Sequence, residues 1–70
     1  SGVEYRVYER GLICLNGSRR GKRVRIGPDK LLANAPLRDV YTGRAIEVAD
    51  HTVEVELKAE SARVYERIKP

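Results

Sequence analysis

Residues 53–57 read Val-Glu-Val-Glu-Leu, an unbroken alternation of apolar and charged side chains. A period of two is the pattern of a half-buried β-strand, because successive side chains point to opposite faces. The same period recurs along the chain. Val3, Tyr5 and Val7 alternate with Glu4 and Arg6, and Arg23-Val24-Arg25-Ile26 alternates again before Gly27-Pro28-Asp29 stops it. Gly11-Leu12-Ile13-Cys14-Leu15-Asn16 is a continuous apolar run that ends in turn chemistry at Asn16, and the lack of polar alternation predicts a central strand covered on both faces, with Leu15 in the core. Leu37 to Tyr41 forms the next expected strand, closed by Thr42-Gly43, and Ile46 and Val48 another, closed by a turn at Ala49-Asp50-His51. Ala62, Val64 and Ile68 mark the apolar side of the last strand, with Glu66 interrupting the series.

Seven short strands, separated by turn signals every ~8–12 residues, predict an all-β sandwich or barrel. The one candidate for a helical turn, Asp29 to Ala33, is bracketed by Pro28 and Pro36 and cannot lengthen. Arg-Val-Tyr-Glu-Arg occurs twice, at 6–10 and at 63–67. Five residues are too few for an internal repeat, so the match predicts two similar edge or near-edge strands kept soluble by their charges. In the turn after Tyr41, Asp39 is expected to accept backbone N–H bonds, and Gly43 to supply the positive φ that returns the chain.

A chain of 70 residues buries only roughly 60% of its unfolded surface. Small domains commonly compensate with disulfides, a metal or a partner. One cysteine, Cys14, excludes an intrachain disulfide, and one histidine, His51, leaves a His/Cys metal site short of ligands. No cofactor is therefore expected, and a partner surface is the remaining aid. The chain has no Met, and Ser1-Gly2 is read as the remnant of a cleaved tag, which places the single domain at 3–69. No apolar run reaches the ~18 residues of a membrane span, so no membrane partner is expected. The free cysteine points to a reducing, cytoplasmic location, and a 34% charged composition rich in Arg and Glu to a heat-tolerant source.

Chemistry-bearing residues each have a plain structural reading. Glu54 and Glu56 lie on one face of one strand about 7 Å apart, a spacing that suits glycoside hydrolysis. That face is opposite Val53, Val55 and Leu57, so it is the wet one, and a thin domain lacks depth for a substrate cleft. Asp39 is a further carboxylate candidate. His51 follows Asp50, as in catalytic dyads, but sits in a turn with no nucleophile placed beside it. Cys14 lies in the most apolar strand, where a thiol is unreactive. No catalytic residue is assigned.

The net charge of +4 is local: residues 1–35 carry eight basic and three acidic side chains, residues 36–70 six and seven. Its centre is Arg19, Arg20, Lys22, Arg23 and Arg25, a candidate anion or partner surface. Such a cluster suits nucleic-acid phosphates. Single-strand binders add aromatic platforms, and none of Tyr5, Tyr8, Tyr41 and Tyr65 interrupts the basic run. An inter-domain contact or a solubilising hairpin also explains the cluster, and this structural reading is preferred over nucleic acid. An autonomous carbohydrate-binding module would stack sugars on exposed aromatic rings, and the chain has no Trp.

Three segments resemble the C-terminal β-domains of glycoside hydrolases, of the α-amylase domain C type. Gly11-Leu12-Ile13-Cys14-Leu15-Asn16-Gly17 is similar to their G-L-V-L-V-N strand, and Leu37-Arg38-Asp39-Val40-Tyr41-Thr42-Gly43-Arg44 resembles their L-x-D-(L/V)-x-T-G strand and turn. Val53-Glu54-Val55-Glu56-Leu57, followed by Ser61-Ala62-Arg63-Val64-Tyr65, is similar to their closing strand pair. The resemblance implies an antiparallel Greek-key β-sandwich packed beside a catalytic barrel. The family's catalytic carboxylates lie in that barrel, so none transfers to this chain. The expected partner is the catalytic domain of the parent chain, with nucleic acid as the alternative. The chain departs from the pattern at Lys58-Ala59-Glu60, where a proline is usual, and in the Arg19–Arg25 cluster.

Overall fold

The structure, a computed structural model, describes residues 2–68. Ser1 of the expected tag remnant and Lys69 at the expected domain limit lie outside the described residues. Among the described residues there are seven strands and no helix: β1 (Val3–Tyr8), β2 (Gly11–Asn16), β3 (Lys22–Ile26), β4 (Leu37–Asp39), β5 (Ala45–Ile46), β6 (Val53–Leu57) and β7 (Ser61–Arg67). They form two antiparallel sheets, one in the order β1-β2-β7-β4-β5 and one of β3 and β6. The all-β expectation therefore holds. No helix among the described residues is long and apolar enough to cross a membrane.

One hydrophobic core lies between the sheets. Leu12, Cys14, Leu37 and Tyr65 from the larger sheet join Ile26, Val53, Val55 and Leu57 from the smaller, and Leu32 and Val48 close the ends from loops. The alternation read in β3 and β6 sorts as expected, with Ile26, Val53, Val55 and Leu57 buried and Arg23, Arg25, Glu54 and Glu56 exposed. Asp29 to Ala33 is an isolated turn, in which Leu32 N–H donates to the Asp29 carbonyl at 3.0 Å. At its other side, Asp50 and His51 both adopt positive φ between Ala49 and Thr52, whose backbones exchange bonds of 3.0 and 2.9 Å. This is the two-residue hairpin geometry that matches strand twist.

Four expectations are corrected. First, β2 is central in its sheet but covered on one face alone. Leu12, Cys14 and Asn16 are buried, whereas Ile13 is 36% and Leu15 47% exposed, because the two-stranded sheet packs against one side of β2 and no described residue covers the other. Second, β7 is neither an edge nor a near-edge strand but the middle one of five. It pairs with both β2 and β4, so of the two strands that share the pentapeptide only β1 lies at an edge. Third, the buried side chain of β7 is Tyr65, not one of the Ala62, Val64 and Ile68 series. Pairing places Tyr65 opposite the buried Leu12, and Val64 opposite the outward Ile13. Fourth, β4 stops at Asp39 and β5 at Ile46, with Val48 buried beyond the strand. The Asp39 side chain captures the N–H groups of Tyr41 and Thr42 that a longer β4 would have spent on a ladder.

Gly11 begins β2 where two backbones come close: a Cβ at this position would lie 2.2 Å from the Tyr65 carbonyl oxygen. No side chain fits that approach, so the apolar run starts at a glycine for a steric reason.

Candidate interaction surface

The basic segment is built from the end of β2 outward. Asn16 is buried, and its side-chain amide donates to the carbonyls of Arg20 at 2.9 Å, Lys58 at 3.1 Å and Leu57 at 3.4 Å. Its Oδ1 accepts the Ser18 N–H at 2.9 Å. Ser18 Oγ accepts the Arg20 N–H at 3.0 Å, and the Ser18 carbonyl accepts the Glu60 N–H at 3.0 Å. One buried amide thus fastens the loop carrying Arg19 and Arg20 to the β6–β7 turn. Reading Asn16 as the end of an apolar run missed this role, although a polar residue in an inward register position of a strand is the signal for it.

The structure divides the five basic residues. Arg19 and Arg20 sit on the exposed loop, and Lys22, half-buried, opens β3. Arg23 and Arg25 project from the outer face of β3, directly opposite Glu56 and Glu54 of β6. The Arg23 guanidinium bonds the Glu56 carboxylate. That hydrogen bond, then the charges of Glu56 and Glu54, push the Arg23 pKa further up. The expected solvated carboxylate face and the expected basic stripe are two halves of one mixed-charge surface.

Asp39 is the second organised group. Its Oδ1 accepts the N–H groups of Tyr41 at 2.8 Å and Thr42 at 3.1 Å, and its Oδ2 accepts Arg63 Nη1 at 3.3 Å. Gly43, at a φ of 78°, returns its N–H to the Asp39 carbonyl at 2.8 Å, the role expected of both residues. Burial alone would raise the Asp39 carboxyl, but the two backbone donors and Arg63 outweigh it and hold the group below the usual carboxylate range. Asp39, Glu54 and Glu56 line one open groove of about 460 Å³ with Arg44, Arg63 and Tyr65. A general acid in such a groove needs a raised pKa; Asp39 has the opposite shift.

His51 and Cys14 act within the fold. The His51 N–H donates to Asn34 Oδ1 at 2.8 Å, its carbonyl accepts the Asp29 N–H at 3.0 Å, and its Nδ1 lies 2.6 Å from the Leu32 carbonyl. It clasps the 29–34 loop. Cys14 is buried, and burial pushes its thiol up to about 11, so it is protonated and unreactive at neutral pH. Among the described residues no three His, Cys, Asp or Glu side chains gather as metal ligands.

The outer face of the larger sheet carries a feature that no motif announced. Leu15 and Ile13 stand opposite Ala62 and Val64 of β7, giving an apolar stripe along the middle of the sheet. Glu4, Arg6 and Tyr8 of β1 bound it on one side, and the Arg38–Glu66 ion pair of 3.2 Å lies on the other. In comparisons with known proteins, no family model, no curated protein and no solved structure matches the chain.

Proposed function

We propose that the chain is the non-catalytic C-terminal accessory domain of a glycoside hydrolase, which stabilises or orients the catalytic part by packing against it. The observation that carries the reading is the stripe of Ile13, Leu15, Ala62 and Val64 on the outer face of the larger sheet. A contiguous apolar patch in the centre of a sheet face, rimmed by polar residues, marks a surface that another body covers. The run Gly11 to Asn16 has the composition of a strand buried on both sides, and a neighbouring domain seated on Ile13 and Leu15 supplies the second cover. The strand and turn motifs that resemble the family, including the Asp39 to Gly43 turn, support the same reading.

The test uses the complete gene product. A (β/α)-barrel preceding the domain is expected. Leu15→Lys should lower the thermal stability of that barrel while the isolated domain keeps its own melting temperature. A gene product without a catalytic barrel, or a barrel indifferent to Leu15→Lys, sinks the proposal.

The second reading, a small basic β-barrel that binds nucleic acid, has Arg19, Arg20 and Lys22 in its favour. The pairing of Arg23 and Arg25 with Glu56 and Glu54 weighs against it, because phosphates must then displace carboxylates already in place.

A further inference from the structure

β1 is a regular six-residue edge strand with no proline and no bulge, and its register with β2 runs unbroken from Val3–Asn16 to Tyr8–Gly11. Just beyond that ladder, Gly17 N–H donates to the Gly2 carbonyl at 2.8 Å. Bonded and unbonded pairs alternate along an antiparallel ladder. Glu4, Arg6 and Tyr8 therefore bond to β2, whereas the N–H and C=O groups of Val3, Tyr5 and Val7 point away from it. No backbone bond among the described residues takes these outward groups. An uncovered strand edge of this kind is a template for another strand.

The sequence along that edge is Val3-Glu4-Tyr5-Arg6-Val7. About Tyr5 it is an inverted pattern: apolar matches apolar, and acid matches base. We infer that β1 pairs with β1 of a second copy of this chain, antiparallel about a two-fold axis at Tyr5, so that the two larger sheets become one.

In this register Tyr5 opposes its own copy, and Val3 opposes Val7 of the other molecule. These three pairs use the outward backbone groups and exchange about six hydrogen bonds. Glu4 of each copy faces Arg6 of the other on the outer face, where opposite charges in cross-strand pairs attract. A slip of two residues in one direction opposes Glu4 to Glu4, and in the other Arg6 to Arg6. A slip of one residue aims groups already bonded to β2 at the partner. One register alone satisfies backbone and charge together, and it is isologous, as a closed dimer requires. Tyr5, 51% exposed at the edge, meets its symmetry mate across the axis. The charge pattern selects a second copy over an unrelated strand.

Sedimentation equilibrium of the 70-residue chain tests the inference, with protein up to about 1 mM because strand pairing makes a small interface of the weak class. A monomer–dimer equilibrium is expected. Glu4→Arg and Arg6→Glu each replace two attractive pairs with two repulsive ones and should raise the dissociation constant at least about tenfold. A one-to-one mixture of the two variants should dimerise again, because the mixed pair sets two bases on one strand against two acids on the other. Tyr5→Pro removes the two central donors without touching a β1–β2 bond, a position an edge strand tolerates, and should give a folded monomer by circular dichroism. A wild-type monomer throughout the range, a dimer unmoved by the charge variants or by Tyr5→Pro, or a mixture that stays monomeric overturns the proposal.

Discussion

Asn16 donates its side-chain amide to the Lys58 carbonyl at 3.1 Å, joining the end of β2 to the turn before β7 across 42 residues of sequence. The same amide serves Arg20 and Leu57, and its oxygen serves Ser18. The position of the basic loop is therefore set by a buried group that carries no charge.

Removing that group should cost more than removing any charge on the loop. Asn16→Ala takes the donor from the buried Leu57 carbonyl and the part-buried Arg20 and Lys58 carbonyls, and we expect a loss of about 1–3 kcal/mol. Urea unfolding reads the loss, and amide exchange should speed up in residues 17–21 and 58–60 together. Faster exchange in only one of the two segments would show that Asn16 does not couple them.

Leu12 and Leu15 belong to one strand and should behave differently. Leu12 is buried between the sheets, so Leu12→Ala should cost about 2–5 kcal/mol. Leu15→Ala, on the open face, should cost below about 1 kcal/mol in the isolated chain. Equal shifts of the urea midpoint would show that the outer face is covered in solution.

Asp39 sets an acid limit. Its carboxyl is lower in the folded chain than in the unfolded one, so the folded state holds its proton less tightly. The stability it contributes is fully present above the unfolded carboxylate value of about 4 and is lost as pH falls through the lower folded value. Asp39→Asn should reduce stability at pH 7 and flatten its pH dependence below about pH 4. Urea midpoints at neutral and acid pH measure both, and an unchanged acid slope would rule out Asp39 as the titrating group.

The basic loop should bind nucleic acid feebly. Only Arg19, Arg20 and Lys22 of the cluster lack a carboxylate opposite them in the β3–β6 pairing, so any log–log salt slope on duplex DNA should be no steeper than about −3. At roughly 150 mM salt, where screening acts within about 8 Å, fluorescence anisotropy should show no binding. Glu54→Gln with Glu56→Gln should steepen the low-salt slope towards about −4.5 by freeing Arg23 and Arg25. Micromolar affinity at physiological salt would favour the nucleic-acid reading over the accessory one.

Strands, turns and fold class were legible because they depend on neighbours in sequence. The period of two in Val53 to Leu57 determines which side chains share a face, and Thr42-Gly43 and Asp50-His51 determine where the chain reverses. The candidate surface was legible only in part. Five cations between Arg19 and Arg25 are plain in the sequence, but the glutamates facing two of them lie some thirty residues away and meet them through the β3–β6 register.

The repeated Arg-Val-Tyr-Glu-Arg shows the limit most clearly. In β1 its valine, Val7, stands opposite Leu12 on the core side; in β7 its tyrosine, Tyr65, takes that place. The pentapeptide itself determines that residues alternate between two faces. Which face is inward depends on a pairing offset of one residue against β2, and such a slip exchanges every side chain between core and solvent. The offset comes from where each strand meets β2: after the two-residue turn at Glu9-Arg10 for β1, and after the long excursion through β3 to β6 for β7. Only the tertiary structure decided it, because no interaction within the five residues distinguishes the two registers.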